Sequence, residues 1–118
     1  MSILRQIADI IKADKTKVCF PSQNEGECLQ EYVVVKYGGA VDAGNVSSER
    51  PIYTIMCYVP QNKYSRLEDF VFETKKKMKK LFPLLSYIGN ETPSFYDDKL
   101  KAHMISFQYQ GIRKKENW

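Results

Sequence analysis

The sequence of 118 residues contains little of the material from which catalytic and metal-binding sites are built. It has one histidine, His103, and three cysteines, Cys19, Cys28 and Cys57, with no C-x-x-C pair among them. One histidine and three scattered cysteines do not match the ligand spacing of zinc sites. No glycine-rich stretch leads into a helix, as phosphate-binding loops require. We therefore expect no metal, no cofactor and no enzymatic activity.

Long apolar runs are also lacking. No uninterrupted apolar stretch approaches the length of a membrane span, and the N-terminal segment carries Arg5, Asp9 and Lys12, which argues against a secretory signal. The cysteines are odd in number and each lies in or beside an apolar run, which favours free, buried thiols in a reducing compartment. We expect a protein that has no membrane contact and is made in a cytoplasm.

The charge balance is only mildly basic. Eighteen Lys and Arg residues against fourteen Asp and Glu give a net charge of +4, with the excess concentrated at Lys75–Lys80 and Arg113–Lys115. A charge of this size does not identify a partner. The length and a hydrophobic content of 43% fit one globular domain spanning residues 1–118. Residues 113–118 are expected to form a mobile tail.

Hydrophobic periodicity predicts an α+β fold. Apolar residues at helical spacing indicate a helix of about a dozen residues within the first fourteen, and a second helix over 65–82 begins with the capping-box pattern of Ser65 and Glu68. Strands are predicted at residues 17–20, 31–37, 52–59, 84–88 and 102–110. We expect an antiparallel sheet of four to five strands with two helices packed on one face.

The second helix offers the first candidate interaction surface. Phe72 falls outside its apolar arc, on the side that carries Lys76 and Lys79, and Lys75 also lies off the apolar arc. A run of lysines is commonly a solvated helix face. An exposed aromatic among them instead indicates an interface, and we favour that interpretation.

Two further segments are candidates for contact with a partner. Residues 38–50 are predicted to form a long, small-residue loop in which Val41 and Val46 supply apolar surface, although a simple flexible connector is equally compatible with this composition. Residues 91–101 are predicted to form a loop or irregular hairpin that carries Asp97 and Asp98.

The order of these segments resembles that of the tail terminator proteins of tailed bacteriophages, also described as tail-completion or head–tail joining proteins. The resemblance is one of layout and length over essentially the whole chain. It rests on an N-terminal helix, a strand before a variable region, an apolar strand leading directly into a helix, and a final strand: SILRQIADIIK, EYVVVKYGG, RPIYTIMCYVPQN, SRLEDFVFETKKKMKKLF and HMISFQYQGIRKK.

The resemblance implies a structural virion protein that is assembled in the host cytoplasm. Such proteins form a ring, commonly of six copies, that caps the tail tube and offers a surface to the head–tail connector, and DNA passes through the lumen without sequence-specific contact. In such a ring, lysines of one copy would meet Glu91, Asp97 or Asp98 of the next. The interface residues expected are Phe72, Lys75, Lys76, Lys79, Val41, Val46, Asp97 and Asp98.

Two other functions stay open from the sequence. A small nucleic-acid-binding α+β module would use the Lys75–Lys80 helix face for phosphate contacts and the tyrosines for base stacking. A small enzyme of unrecognised type is the least favoured, because its catalytic residues would have to lie outside every familiar motif.

Overall fold

The structure is a computed structural model that describes residues 2–23, 26–42, 44 and 47–114. In this part of the chain, short 3-10 turns at Lys12–Asp14, Gln61–Arg66 and Lys79–Leu81 accompany two α-helices and seven strands. In chain order these are α1 (Ile3–Ile11), β1 (Lys17–Cys19), β2 (Tyr32–Asp42), β3 (Ser48–Pro60), α2 (Leu67–Met78), β4 (Ser86–Gly89), β5 (Phe95–Asp97), β6 (Ala102–Gln110) and β7 (Arg113–Lys114).

All of the described strands belong to one sheet built around β3. The main path runs β1-β2-β3-β6-β4, and the pairing is antiparallel except between β1 and β2. The short strand β5 pairs with β6 beyond the end of β4, and β7 pairs with the first residues of β3. The predicted α+β class is thus confirmed, with five strands on the main path and two short ones added to it.

The core lies between this sheet and the two helices. Burial along β3 alternates strictly, so that one side of the strand faces the helices. Fully buried side chains of that side pack against both helices: Ile55, Cys57 and Val59 from β3, Ile7 and Ile11 from α1, and Phe70 and Met78 from α2. Because each such apolar side chain contributes about 1.5–3 kcal/mol on burial, this layer fixes both helices on the same face, as predicted.

The other face of the sheet has a smaller cluster at one end. Cys19, Cys28, Tyr32 and Ala102 are buried there, and the ring of Tyr32 stacks on that of Tyr58 at 4.9 Å. The backbone N–H of Cys28 donates to the carbonyl of Leu100, which ties the segment before β2 to the turn before β6. In the described part of the chain, the rest of this face carries no helix, as is common for antiparallel sheets.

The predicted start of the second helix is wrong. Ser65 lies inside the 3-10 turn Gln61–Arg66, and α2 begins after it with no side-chain cap. The 3-10 turn continues directly into α2, so the backbone at Ser65 never takes the extended conformation that a capping residue needs. Glu68 and Asp69 still occupy the first turn of α2, where they suit the positive end of the helix dipole.

The predicted long loop over residues 38–50 is also wrong over most of its length. β2 continues to Asp42 and β3 begins at Ser48, so both strands extend through the segment as a hairpin. The two glycines do not end β2. They fall where the register with β3 shifts between Tyr37 and Ala40, and Gly39 there has a φ of 91°. Such a β-bulge bends a strand without stopping its pairing.

Lys77 connects the two helices. Its ammonium group donates to the carbonyl oxygen of Ile11 at 3.0 Å, to Asp14 Oδ1 at 2.7 Å and to Thr16 Oγ1 at 2.9 Å. Only 16% of the side chain is exposed. The ammonium therefore binds the last turn of α1 to the last turn of α2, where a cation also suits the helix dipole.

We predict that Lys77→Met lowers the free energy of unfolding by about 1–3 kcal/mol, the usual cost of removing a charged donor from partly buried acceptors. Methionine keeps most of the apolar stem, so the change removes the ammonium contacts specifically. The measurement is urea denaturation followed by circular dichroism. Lys76→Met is the matched control, because Lys76 is exposed, and it should change stability by less than about 0.5 kcal/mol. Equal effects of the two variants would contradict the assigned role.

The same contact predicts a pH dependence. The hydrogen bond from Lys77, followed by that from Thr16, lowers the pKa of Asp14 from 3.8 to about 2. A carboxylate with a depressed folded-state pKa stabilises the fold above its unfolded value and loses that contribution as the pH falls through its folded value. The free energy of unfolding of wild type should therefore approach that of Lys77→Met as the pH falls from about 5 to about 2. If the difference between the two free energies of unfolding stays constant over this pH range, the Lys77–Asp14 contact does not stabilise the fold as described.

Candidate interaction surfaces

The exposed side of α2 carries opposite charges at its two ends. The buried side packs Phe70, Val71, Thr74 and Met78 against the sheet. The opposite side exposes Phe72, Lys76 and Lys79, as predicted, and also Glu68 and Asp69. Phe72 is 66% exposed, which is unusual for a phenylalanine. Among the described residues, none of these four charged groups has an ion-pair partner.

Lys75 differs from the other lysines of α2 because it is held inside its own chain. Its ammonium donates to Glu91 and lies 5.0 Å from the ring centre of Tyr87 and 5.2 Å from that of Phe107. Partial burial opposes the charged form, but the hydrogen bonds to Glu91 and Tyr87 hold the pKa of Lys75 above its usual value. Lys75 and Glu91 thus form a contact within one copy, between α2 and the segment after β4.

A groove runs between α2 and the segment at residues 91–94. It consists of two adjoining hollows of about 350 and 410 Å³, which share Glu68, Glu91 and Ile105 in their lining. Phe72, Lys75 and Asp69 line the first hollow. Tyr64 and Pro93 are among the residues that line the second. We call this feature the α2 groove; it has an apolar floor at Ile105 and carboxylates along its rim.

The predicted loop segment takes the form of a hairpin arm, which we define as residues 40–42 and 48–50. Val41 is 51% exposed and lies directly opposite Arg50. Val46, the second valine predicted to contact a partner, lies outside the described residues. The radius of gyration is 15.0 Å, against about 13.5 Å for a compact domain of this length. The arm contributes to this elongation.

Two residues of the predicted mobile tail pair with β3 at the base of the arm. Arg113 and Lys114 form β7 and pair with Glu49 and Ser48. The guanidinium of Arg113 donates to Glu49 at 2.6 Å and to the hydroxyl of Tyr37 at 2.9 Å. The predicted tail is thus a paired strand at 113–114, and residues 115–118 lie outside the described part of the chain.

The two predicted acidic contacts lie where β5 turns into β6: Asp97 is the last residue of β5 and Asp98 is the first residue of the turn. Asp97 Oδ1 accepts hydrogen bonds from the backbone N–H groups of Lys99 and Leu100, both at 3.0 Å, so this side chain shapes the turn. Asp98 is paired with Lys101 at 3.3 Å, and 85% of its side chain is exposed. A pair this exposed contributes little to stability, which leaves the Asp98 carboxylate accessible to another molecule.

The predicted residues therefore form three separate places on the surface. Phe72, Lys76 and Lys79 share one side of α2. Val41 lies opposite Arg50, and Asp97 is paired with Ala102, which is itself opposite Pro60. Arg50 and Pro60 are ten residues apart on β3, about 33 Å at the rise of a strand. The arm and the acidic turn thus occupy opposite ends of the sheet.

Several surface residues were not foreseen from the sequence. The sequence pattern assigns Glu68 only to a helix start and assigns no role to Asp69, although their spacing from Phe72 places both on the same exposed side. Arg66 binds Glu31 and Glu73 with two hydrogen bonds each, and so ties the segment before β2 to α2. The separation of Arg66 and Glu31 along the chain left no local pattern from which this pairing could be predicted.

The single histidine is enclosed by aromatic rings. His103 lies between Tyr64 and Tyr96, with ring centres 4.6 and 5.1 Å away. It is half-buried on β6 and faces the helices together with Ile105, Phe107 and Tyr109. This agrees with the interpretation of His103 as a packed strand histidine.

Comparison with known proteins finds no family model that matches this chain and no significant match among curated proteins. Within the described residues, no helix has both the length and the apolar character needed to cross a membrane. The same part of the chain contains no group of three or more His, Cys, Asp or Glu side chains that could hold a metal ion.

The three cysteines are buried, as the sequence predicts. Cys57 is fully buried and Cys19 and Cys28 are nearly so. Burial raises the pKa of the Cys57 thiol to about 12, with a smaller opposing effect of its hydrogen bond to Thr74. Burial keeps reagents away from all three thiols. The raised pKa also keeps Cys57 protonated at neutral pH, and only the thiolate is reactive.

We predict that all three thiols are unreactive toward a thiol reagent such as Ellman's reagent in the native protein at neutral pH. In guanidinium chloride the same sample should release three equivalents per chain. Rapid reaction of one thiol under native conditions would contradict the described burial. The same assay on a variant with one added surface cysteine, Lys63→Cys, provides the positive control.

Proposed function

We propose that this protein is a structural virion protein, a tail terminator of a tailed bacteriophage. In this role about six copies form a ring that caps the tail tube and joins it to the head–tail connector. The observation that carries the proposal is the separation of the exposed surfaces. The hairpin arm lies at one end of the sheet, while the α2 groove and the acidic turn lie toward the other. A ring needs two different surfaces on each copy, because its contacts run head to tail.

The unsatisfied surface groups support an assembling role. Phe72 exposes most of its ring, and the charges on the exposed side of α2 have no partners among the described residues. The strand β4 ends the main path of the sheet, and no other strand of the described residues pairs with its outer edge. Edge strands and exposed aromatics are the features that neighbouring subunits commonly cover.

The proposal assigns the partners and the location of the protein. Besides its own copies it would contact the tail tube protein on one side of the ring and the connector or neck protein on the other. DNA would pass through the lumen without sequence-specific contact. The protein would assemble in the host cytoplasm and remain in the virion, at the junction of tail and neck.

The alternative, a nucleic-acid-binding module, has less support. Lys75 and Lys77 are held by contacts within the chain, so three lysines of the cluster, Lys76, Lys79 and Lys80, stay available for phosphate. Tyr32, Tyr53 and Tyr109 are buried in the sheet and offer no stacking surface. Four other tyrosines are exposed, but their rings already contact side chains of the chain: Tyr64 and Tyr96 contact His103, Tyr87 contacts Lys75 and Tyr37 contacts Arg113. Binding to RNA that weakens with rising salt, with a slope matching about three phosphates, would favour this alternative.

We predict that the wild-type protein has a native mass of about six times the 13.7 kDa of one chain. Reversing the charges with Lys76→Glu and Lys79→Glu should shift the native mass toward that of single chains, because charge reversal at an interface costs several kcal/mol. The measurement is light scattering coupled to size exclusion. Lys12→Glu is the control, since Lys12 is exposed and follows α1.

One outcome would contradict the proposal, and a second would change only the residues assigned to the subunit contact. A wild-type protein that is strictly monomeric at all accessible concentrations would exclude a self-assembling ring. A ring whose mass is unchanged in the Lys76→Glu, Lys79→Glu variant would leave the ring in place and remove the exposed side of α2 from its subunit contact.

A further inference from the structure

We infer that the hairpin arm of one copy docks in the α2 groove of the next copy. This inference rests on the proposed ring and specifies the contact that closes it. One face of the arm presents the exposed Val41 beside the guanidinium of Arg50, and the carboxylates of Asp42 and Glu49 belong to its other face. The groove has an apolar floor and a rim of carboxylates. The occupant of the groove is thus a second copy of the same chain.

The arm is basic on the side of the sheet that carries no helix. Val41 and Arg50 are directly opposite one another, and Lys36 is opposite Thr54, two strand repeats further along the same side of β3. Among the described residues, neither Lys36 nor Arg50 forms an ion pair. This side therefore presents Val41 beside the guanidinium of Arg50, with the ammonium of Lys36 further along the same face.

The α2 groove is complementary to this surface. Glu68 lines both hollows and Asp69 lines one of them, and neither has a cationic partner in the described part of the chain. Ile105 and Phe72 supply apolar contact surface beside these carboxylates. An arm that places Val41 over Ile105 and Arg50 beside Glu68 would satisfy the charges of both surfaces.

The arm cannot reach the groove of its own chain. Ile105 is opposite Cys57 on β3, seven residues from Arg50, which is about 23 Å along the strand. The groove also lies on the helix-bearing face, while Val41 and Arg50 belong to the other face. The contact is therefore between copies. Since arm and groove are different surfaces, it is head-to-tail and can repeat around a ring.

The decisive experiment is cysteine cross-linking of a Val41→Cys, Glu68→Cys double variant under mild oxidation. The native cysteines are buried and do not compete. On a non-reducing gel we expect a ladder from dimer to about hexamer, because each copy carries both halves of the contact. An equimolar mixture of the two single variants should stop at the dimer, and each single variant alone should give no specific cross-link.

A charge swap provides an independent measurement on the assembled protein. Arg50→Glu should raise the concentration needed for half-assembly by about tenfold or more, as expected for loss of a close interfacial charge pair. Adding Glu68→Arg to that variant should restore assembly. Arg5→Glu, on the exposed side of α1, is the matched control and should leave assembly unchanged.

The outcomes separate this inference from the proposed function. A wild-type ring without cross-linking of the double variant would overturn the arm-in-groove contact and leave the ring proposal standing. Cross-linking of the double variant that stops at the dimer would overturn the head-to-tail arrangement. A monomeric wild type without any cross-link would overturn both.

Discussion

The pairing of β3 with a strand on each side is the constraint on which the rest of the structure depends. Over nine residues β6 pairs with it without interruption, and β2 pairs with its other edge. The alternation of β3 determines which side chains face the helices, and its length carries the pairing beyond the core into the arm. The arm is thus a continuation of the strand that organises the core, so its direction is fixed by the fold.

Much of this arrangement could be predicted from the sequence, because it follows local pattern. The near-continuous apolar run at residues 52–59 indicated a central strand, and the spacing of Phe70, Val71, Thr74 and Met78 indicated the buried side of α2. Gly38 and Gly39 misled the prediction, since glycine pairs more often end a strand than form a bulge within it. The pairing partner that keeps β2 extended, residues 48–51, is not visible from residues 38–42 alone.

The interaction surfaces could be predicted only in part, because they too depend on contacts between residues that are distant in the sequence. Composition located the lysines, but whether a lysine is free depends on residues distant in the chain. Lys75 is held by Glu91 and Lys77 by Asp14, while Lys76 and Lys79, their neighbours, face outward. The groove is likewise formed by α2 together with a segment that follows β4. It arises from the packing of the two, and neither segment alone indicates a groove.

The central claim is that copies of this chain close into a ring. Negative-stain electron microscopy of the purified protein tests it directly, because a ring is visible without any knowledge of its partners. The account predicts uniform closed rings of about six subunits with a central opening wide enough for duplex DNA. A field of particles of single-chain size, or of open filaments, would contradict it.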